Sequence, residues 1–327
     1  MNATVAWITL TGVGRRRRWP MRFTRHMAQT TPQASDELLA PLGSSLELCY
    51  QTFGDASDEP LLLVMGLGGP MTWWPTAFCE QLAERGFYVV RYDNRDTGRS
   101  TRIRQRVGRS AIVRAFLGLP VAAPYGMGDL ADDAFGLLDH LGLASAHVAG
   151  ISMGGMIVQT MALAHPERVR SMTSIMSTTG RRTVGWQHPS LIPVLLGSAG
   201  PDEDGYVANS LKVWRLIGSP GYPSPEEMLR ARASETYRRG VSASGVLRQM
   251  LAVLTQPDRT EALRSLRVPT TVVHGMADKM VHVSGGRATA AAVPGSELVL
   301  IGGMGHDTPE ELWPRLIDAI RRNADRA

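Results

Sequence analysis

Ser152 lies between two close glycines in VAGISMGGMI (148–157), a GxSxG pattern at the point where an apolar run leads directly into a helical one. A strand that turns sharply into a helix holds such a hydroxyl out as a nucleophile. Gly150 and Gly154 leave room where a side chain would collide with the adjacent strand or helix. The helix that begins beside the serine points unpaired amides and its positive dipole end at any negative charge that develops there. GxSxG also arises by chance in a chain with 34 glycines, so the motif needs a base, an acid and an oxyanion site elsewhere in the sequence.

A serine hydroxyl becomes a useful nucleophile when a base takes its proton, and histidine, ordinarily near pKa 6.5, suits that work. Of the eight histidines, His140 and His165 end amphipathic helices, His147 and His274 fall in strand runs, His188 and His282 flank loops or helices, and His26 is in the N-terminal segment. His306, in IGGMGHDTP, follows the last apolar run in a glycine-punctuated loop that can aim an imidazole at Ser152. The base in turn needs a carboxylate to fix its tautomer. Asp278, in VVHGMADKMV, follows the run 270–275 by a short turn, whereas the loop after 171–178, TTGRRTVG, holds no acid. The other reading of Asp278 is a turn residue that caps the next helix. Asp307 is adjacent to His306, and neighbours seldom direct their side chains at each other's rings.

An oxyanion requires two backbone amides. Met153, next after Ser152, offers one, and Leu67, between Gly66 and Gly68 in VMGLGGPMTWW, offers the other. A phosphate-cradling loop is the competing use of those glycines, but GxxxxGK[ST] is absent and lysine occurs only at 212 and 279.

These residues need a scaffold. Apolar runs at 46–53, 61–66, 87–93, 146–150, 171–178, 270–275 and 297–301 alternate with helical patterns, the signature of a mostly parallel central sheet flanked by helices. Pro75 and Gly86 bracket one helix, and Asp129 and Gly142 another. The alternation stops over 181–265, where helical patches follow one another without a strand. An insertion there reads as a helical cap over the carboxyl ends of the strands, where ligands bind in such sheets. The expected organisation is an N-terminal extension over 1–36, a core of 37–180 with 266–327, and a cap of 181–265.

The net charge of +5 and pI near 9.5 suggest a polyanion partner until the charges are placed. Residues 1–26 hold six arginines and no acid, which leaves 29 basic against 30 acidic residues in the remainder. A nucleic-acid partner is therefore not expected. The extension is apolar first and basic second, the reverse of a secretory signal. It reads as a disordered tail, an upstream start ahead of Met27, a transit peptide or a basic membrane-surface patch. No apolar stretch approaches the roughly 18 residues of a membrane span. Two cysteines suit a reducing cytoplasm, and the histidines show no zinc spacing, so neither metal nor cofactor is expected.

With the loop at 65–69, RYDNRDTGRS at 91–100, GISMGG, GMAD at 275–278 and GMGHD at 303–307, the chain resembles an α/β-hydrolase from about residue 37 onward. It is most similar to the lipase/esterase branch that holds LipG-type enzymes and the anthracycline methyl esterases. The resemblance implies Ser152 as nucleophile, His306 as base, Asp278 as acid, and Leu67 and Met153 as oxyanion amides. Many members have His-Gly where this chain has Met65-Gly66, a difference that bears on loop geometry. DNRDTGRS reads as a structural loop, with Asp93 and Arg95 in an internal ion pair rather than in substrate binding.

The expected reaction is hydrolysis of a carboxylic ester through an acyl-enzyme. Thioester or lactone hydrolysis, C–C cleavage and perhydrolysis share the same triad, and a receptor that lost the chemistry is the non-enzymatic alternative. A serine nucleophile speaks against the dehalogenase and epoxide-hydrolase variants, which use a carboxylate. Trp73, Trp74, Trp186 and Trp214, with Met65, Met153, Met156, Met276 and Met304, suggest an apolar pocket for a small-molecule ester with an apolar acyl or alkyl part. Trp74 and Trp186 are the expected substrate contacts; core filling is the other reading of these side chains.

Overall fold

The computed structural model describes residues 34–43, 45–191, 200 and 202–327; the expected N-terminal extension lies, up to residue 33, outside the described residues. Eight strands among them form one sheet: β1 (Leu38–Leu42), β2 (Leu46–Phe53), β3 (Glu59–Val64), β4 (Phe87–Tyr92), β5 (Ala146–Ile151), β6 (Val169–Ile175), β7 (Thr270–Gly275) and β8 (Glu297–Ile301). Their order is β1-β2-β4-β3-β5-β6-β7-β8. β2 runs antiparallel to both β1 and β4, and every other pair is parallel. Every residue of β5 and of β7 is buried, as expected of parallel strands covered on both faces.

The α-helices among the described residues are α1 (Thr76–Ala83), α2 (Arg109–Phe116), α3 (Met127–His140), α4 (Met153–Ala164), α5 (Glu203–Ile217), α6 (Glu226–Gly240), α7 (Ala243–Thr255), α8 (Thr260–Leu263), α9 (Ser284–Ala292) and α10 (Trp313–Ala324). The two-residue period of the strands separates the core into two layers. Leu62, Val64, Val90 and Val148 face α3 and α4, whereas Leu61, Leu63, Val89 and Ala149 face α1 and α10. In α10, Trp313, Leu316, Ile317 and Ile320 recur at helical spacing and supply the buried stripe.

Helices α5 to α8 lie between β6 and β7. α5 and α6 share a small core of Val207, Leu211, Leu229 and Ala233. Two buried ion pairs tie this insert to the turn after β4: Arg239 of α6 meets Asp93 at 2.7 Å, and Arg248 of α7 meets Asp96 at 2.6 Å. Burial alone pushes the Asp96 carboxyl up. The Arg248 fork, the Tyr125 hydroxyl and the Ile103 amide outweigh it and hold that carboxyl below its usual value.

Several boundaries differ from the sequence reading for local reasons. β3 ends at Val64, which frees Met65 and Gly66 for the following loop. β6 spans Val169–Ile175 rather than 171–178, and Met176 beyond it turns to φ 49°. α3 starts at Met127, so Asp129 sits inside the first turn, where its carboxylate accepts the Gly126 amide at 2.8 Å. Pro75 is the residue before α1, one position earlier than expected.

His147 of β5 is buried, with Nδ1 2.8 Å from the Ser171 hydroxyl. Burial pushes its pKa down to about 4. As pH falls below the unfolded value near 6.5, the unfolded chain binds this proton first, so stability present above that pH declines until about pH 4. The expected loss is about 3 kcal/mol for this residue. Urea midpoints at neutral and mildly acidic pH check it: His147→Asn should show a flatter dependence than wild type, and equal slopes would refute the assignment.

Candidate active site

The turn from β5 into α4 places Ser152 at φ 58° and ψ −118°, a left-handed backbone that costs a non-glycine residue about 1–3 kcal/mol. Packing around it enforces the bend. A Cβ on Gly150 would lie 2.2 Å from the Gly154 carbonyl oxygen, and one on Gly154 would lie 2.1 Å from that of Val64 in β3. Gly155 is equally confined, against the Ser177 side chain at 2.5 Å. The Ser152 amide donates to the Ile175 carbonyl at 2.9 Å, and the Ser177 hydroxyl donates to the Ser152 carbonyl at 2.7 Å, so β6 pins the bend from the other side.

The loop after β8 carries His306 to this serine. Its Nε2 is 3.1 Å from Ser152 Oγ, and its Nδ1 is 2.7 Å from Asp278 Oδ2. A carboxylate can only accept, so Nδ1 donates and Nε2 is left to accept from the hydroxyl. The His306 amide donates to the Ile217 carbonyl at 2.7 Å, which fixes the loop against the end of α5. Asp278 also takes up its turn role: Oδ1 accepts the Met280 and Val281 amides at 2.8 and 2.9 Å. The two readings of this residue are compatible because each uses a different carboxylate oxygen.

His274, in β7, lies behind Asp278 with Nε2 3.6 Å from Oδ2 and donates to the Val281 carbonyl at 2.8 Å. Burial pushes its pKa down, against the pull of Asp278, and keeps it neutral at physiological pH. Asp307 turns away from the His306 ring to accept the Ser219 hydroxyl, and burial pushes its carboxyl up.

The glycine loop after β3 lies against the bend: a Cβ on Gly66 would be 3.2 Å from the Ser152 Cβ. Among the described residues neither the Leu67 amide nor the Met153 amide has a hydrogen-bond acceptor, and Met153 opens α4, where an orphan amide is expected. The loop is held from three directions. Asn94 Nδ2 donates to the Met65 carbonyl at 3.0 Å, Asp93 Oδ1 accepts the Met71 amide at 2.7 Å, and Gln249 Oε1 of α7 accepts the Gly68 amide at 2.8 Å. Gln249 is fully buried and spends its amide nitrogen on the Arg95 carbonyl and the Thr97 hydroxyl. Its sequence position, 181 residues from Gly68, gave no signal of this contact. Asp93 and Arg95 are each ion-paired, but not with one another: Asp93 joins Arg239, and Arg95 joins Asp133 at 2.5 Å.

Of the two expected substrate contacts, Trp74 needs correction. Trp74 is a core residue, 1% exposed and stacked on Phe78 at 5.5 Å, with no face left for a ligand. Trp186 lies at the surface, 45% exposed, with one face of its ring stacked on His282 at 4.2 Å. Met65, Met153, Met156 and Met304 fill the two cores, and Met276 is exposed. Trp73 and Trp214 meet edge to face at 5.3 Å under Arg232, whose guanidinium lies 4.1 Å from the Trp214 ring. The Trp73 indole donates to Thr236 at 2.9 Å, so these side chains join the glycine loop to α6. Among the described residues no group of three or more His, Cys, Asp or Glu could hold a metal ion.

The model of the alpha/beta hydrolase fold matches residues 59–311. Rhodomycin D methylesterase DauP of a Streptomyces species is 29% identical over 296 residues, covering 84% of this chain and 93% of its own. A 2-hydroxy-6-oxononadienedioate/2-hydroxy-6-oxononatrienedioate hydrolase of Paraburkholderia phymatum is 26% identical, covering 81% and 86%. Among solved structures, the enol-lactonase of Burkholderia xenovorans superposes with a TM-score of 0.69 at 21% identity, covering 88% of this chain and 100% of that one; it shares the fold.

Proposed function

Because the chain belongs to the alpha/beta hydrolase fold family, we propose that it is a serine hydrolase of carboxylic esters, with Ser152, His306 and Asp278 as its triad and residues 181–265 as a cap over the site. One observation carries the reading: His306 bridges Ser152 Oγ at 3.1 Å and Asp278 Oδ2 at 2.7 Å. The methylesterase relatives support a small-molecule ester as substrate.

In the first half of the reaction Ser152 Oγ bonds to the acyl carbon while its proton passes to His306 Nε2. The carbonyl electron pair moves onto the oxygen, where the Leu67 and Met153 amides donate to it; each such donor contributes about 3–4 kcal/mol in comparable sites. Collapse of this intermediate breaks the bond to the alkoxy oxygen, which leaves with the proton from Nε2. Water then attacks the acyl-enzyme, gives its proton to the same nitrogen, and Ser152 regains that proton as the acid departs. Asp278 holds Nδ1 protonated throughout and offsets the positive charge on the ring.

A fluorophosphonate probe followed by peptide mapping tests the assignment. Modification is expected at Ser152 and should vanish in His306→Ala; labelling at another serine, or labelling that survives this substitution, would refute it. The C–C hydrolase relative makes a second comparison informative: methyl esters should turn over and vinylogous ring-fission products should not.

A further inference from the structure

Between Thr97 and Gly128 the chain carries Arg99, Arg102, Arg104, Arg106, Arg109 and Arg114 and no aspartate or glutamate. Arg99 pairs with Glu37. The other five are exposed, and among the described residues none of them is in an ion pair. This is not an ordinary solvated surface, where basic and acidic residues intermingle.

The same segment exposes its apolar side chains. Val113, Phe116, Leu117 and Leu119 are 57, 60, 66 and 47% exposed, four of the eleven large exposed hydrophobics among the described residues, gathered within seven positions. The opposite side of α2 is occupied, with Ala115 buried and the helix packed against α7. The outward apolar side therefore does not serve the fold. At its end Arg182 donates to the Ala115 and Phe116 carbonyls, which adds a further cation beside the exposed ring.

We propose that this face, residues 102–119, docks on a bilayer rich in anionic phospholipid. Phe116, Leu117, Leu119 and Val113 enter the acyl boundary, and the arginines around them meet the headgroups. Neither feature alone selects this occupant. A soluble polyanion would use the arginines and leave the apolar tip idle, while an ordinary protein partner would leave five like charges uncompensated. By charge, a segment as basic as the chain's first 26 residues, with six arginines and no acid, is a disfavoured occupant, and so is the same face of a second copy.

The segment leaves β4 at its carboxyl end, on the side of the sheet where β5 delivers Ser152, and α7 behind α2 holds the Gly68 amide. Docking thus presents the Ser152 end of the molecule toward lipid. Among the described residues no helix is long and apolar enough to cross a membrane.

Sedimentation of the full-length chain with large vesicles tests the proposal. Strong binding is expected to vesicles that mix phosphatidylcholine with phosphatidylglycerol, little binding to phosphatidylcholine alone, and a steep decline with salt. With each arginine worth roughly fivefold near an anionic surface, Arg104→Gln/Arg106→Gln/Arg109→Gln should lower partitioning by about a hundredfold. Phe116→Asp/Leu117→Asp should lower it by about tenfold or more, because it removes apolar insertion and adds repulsion. Both variants change exposed side chains only and should keep the wild-type thermal melt by circular dichroism. Full-length protein with Arg15, Arg16, Arg17 and Arg18 changed to glutamine should retain most of the binding. Undiminished binding by Phe116→Asp/Leu117→Asp would overturn the proposal and point to a soluble polyanion; loss confined to the Arg15 to Arg18 variant would overturn it in favour of the leading segment.

Discussion

Ser152→Ala is expected to lower kcat/KM toward p-nitrophenyl esters by about 10⁵-fold or more, the scale seen when a triad nucleophile is removed. The substitution deletes one atom, Oγ, and leaves the packing that enforces the bend: the Gly150 and Gly154 contacts and the Ile175 and Ser177 hydrogen bonds do not involve it. Alanine meets the same backbone strain at φ 58° as serine, so the thermal midpoint should hardly move. A small residual rate should persist from the Leu67 and Met153 amides. Steady-state assays of both proteins across a series of acyl chain lengths check this, and a variant with near wild-type turnover would remove Ser152 from the mechanism.

Asp278→Asn is expected to reduce kcat by about 10⁴-fold while KM changes little, because a triad asparagine selects the wrong tautomer. The side-chain oxygen of asparagine can still accept the Met280 and Val281 amides, which keeps the loop folded. Its NH₂ then occupies the place of Oδ2 and donates to His306 Nδ1, which moves the imidazole proton to Nε2 and removes the acceptor for the Ser152 hydroxyl. Fluorophosphonate labelling should slow in parallel with ester turnover. A fall in labelling far smaller than the fall in kcat would mean that Asp278 acts at a later step than deprotonation of Ser152.

The architecture was legible because the apolar runs are dense and bounded: β2, β7 and β8 start and stop at the residues where their patterns do. β1 escaped notice because it is an edge strand with a mostly exposed pattern and Pro41 within it, and α2 because its exposed side is apolar. Ser152, Asp278 and His306 could be selected since each follows a strand by a short turn and each has a chemical type that few neighbours share. The indoles could not be sorted that way. Trp73 and Trp74 are adjacent, yet one indole reaches Thr236 in the insert and the other is sealed beneath α1. Gln249 stayed invisible for a related reason: its partner is set by how α7 lies on the core, and no local pattern encodes that. The Asp93 and Arg95 pairing was half legible, since a buried charge requires a counterion but sequence proximity does not choose which.

The Arg239 and Arg248 ion pairs have a mechanical consequence for the insert. Lifting α6 and α7 away from the core would strand Asp93 and Asp96, each buried, at a cost of about 3–5 kcal/mol apiece. Core and insert are therefore expected to melt in one cooperative step, and hydrogen–deuterium exchange should find the α7 amides opening with global unfolding rather than through a private hinge motion.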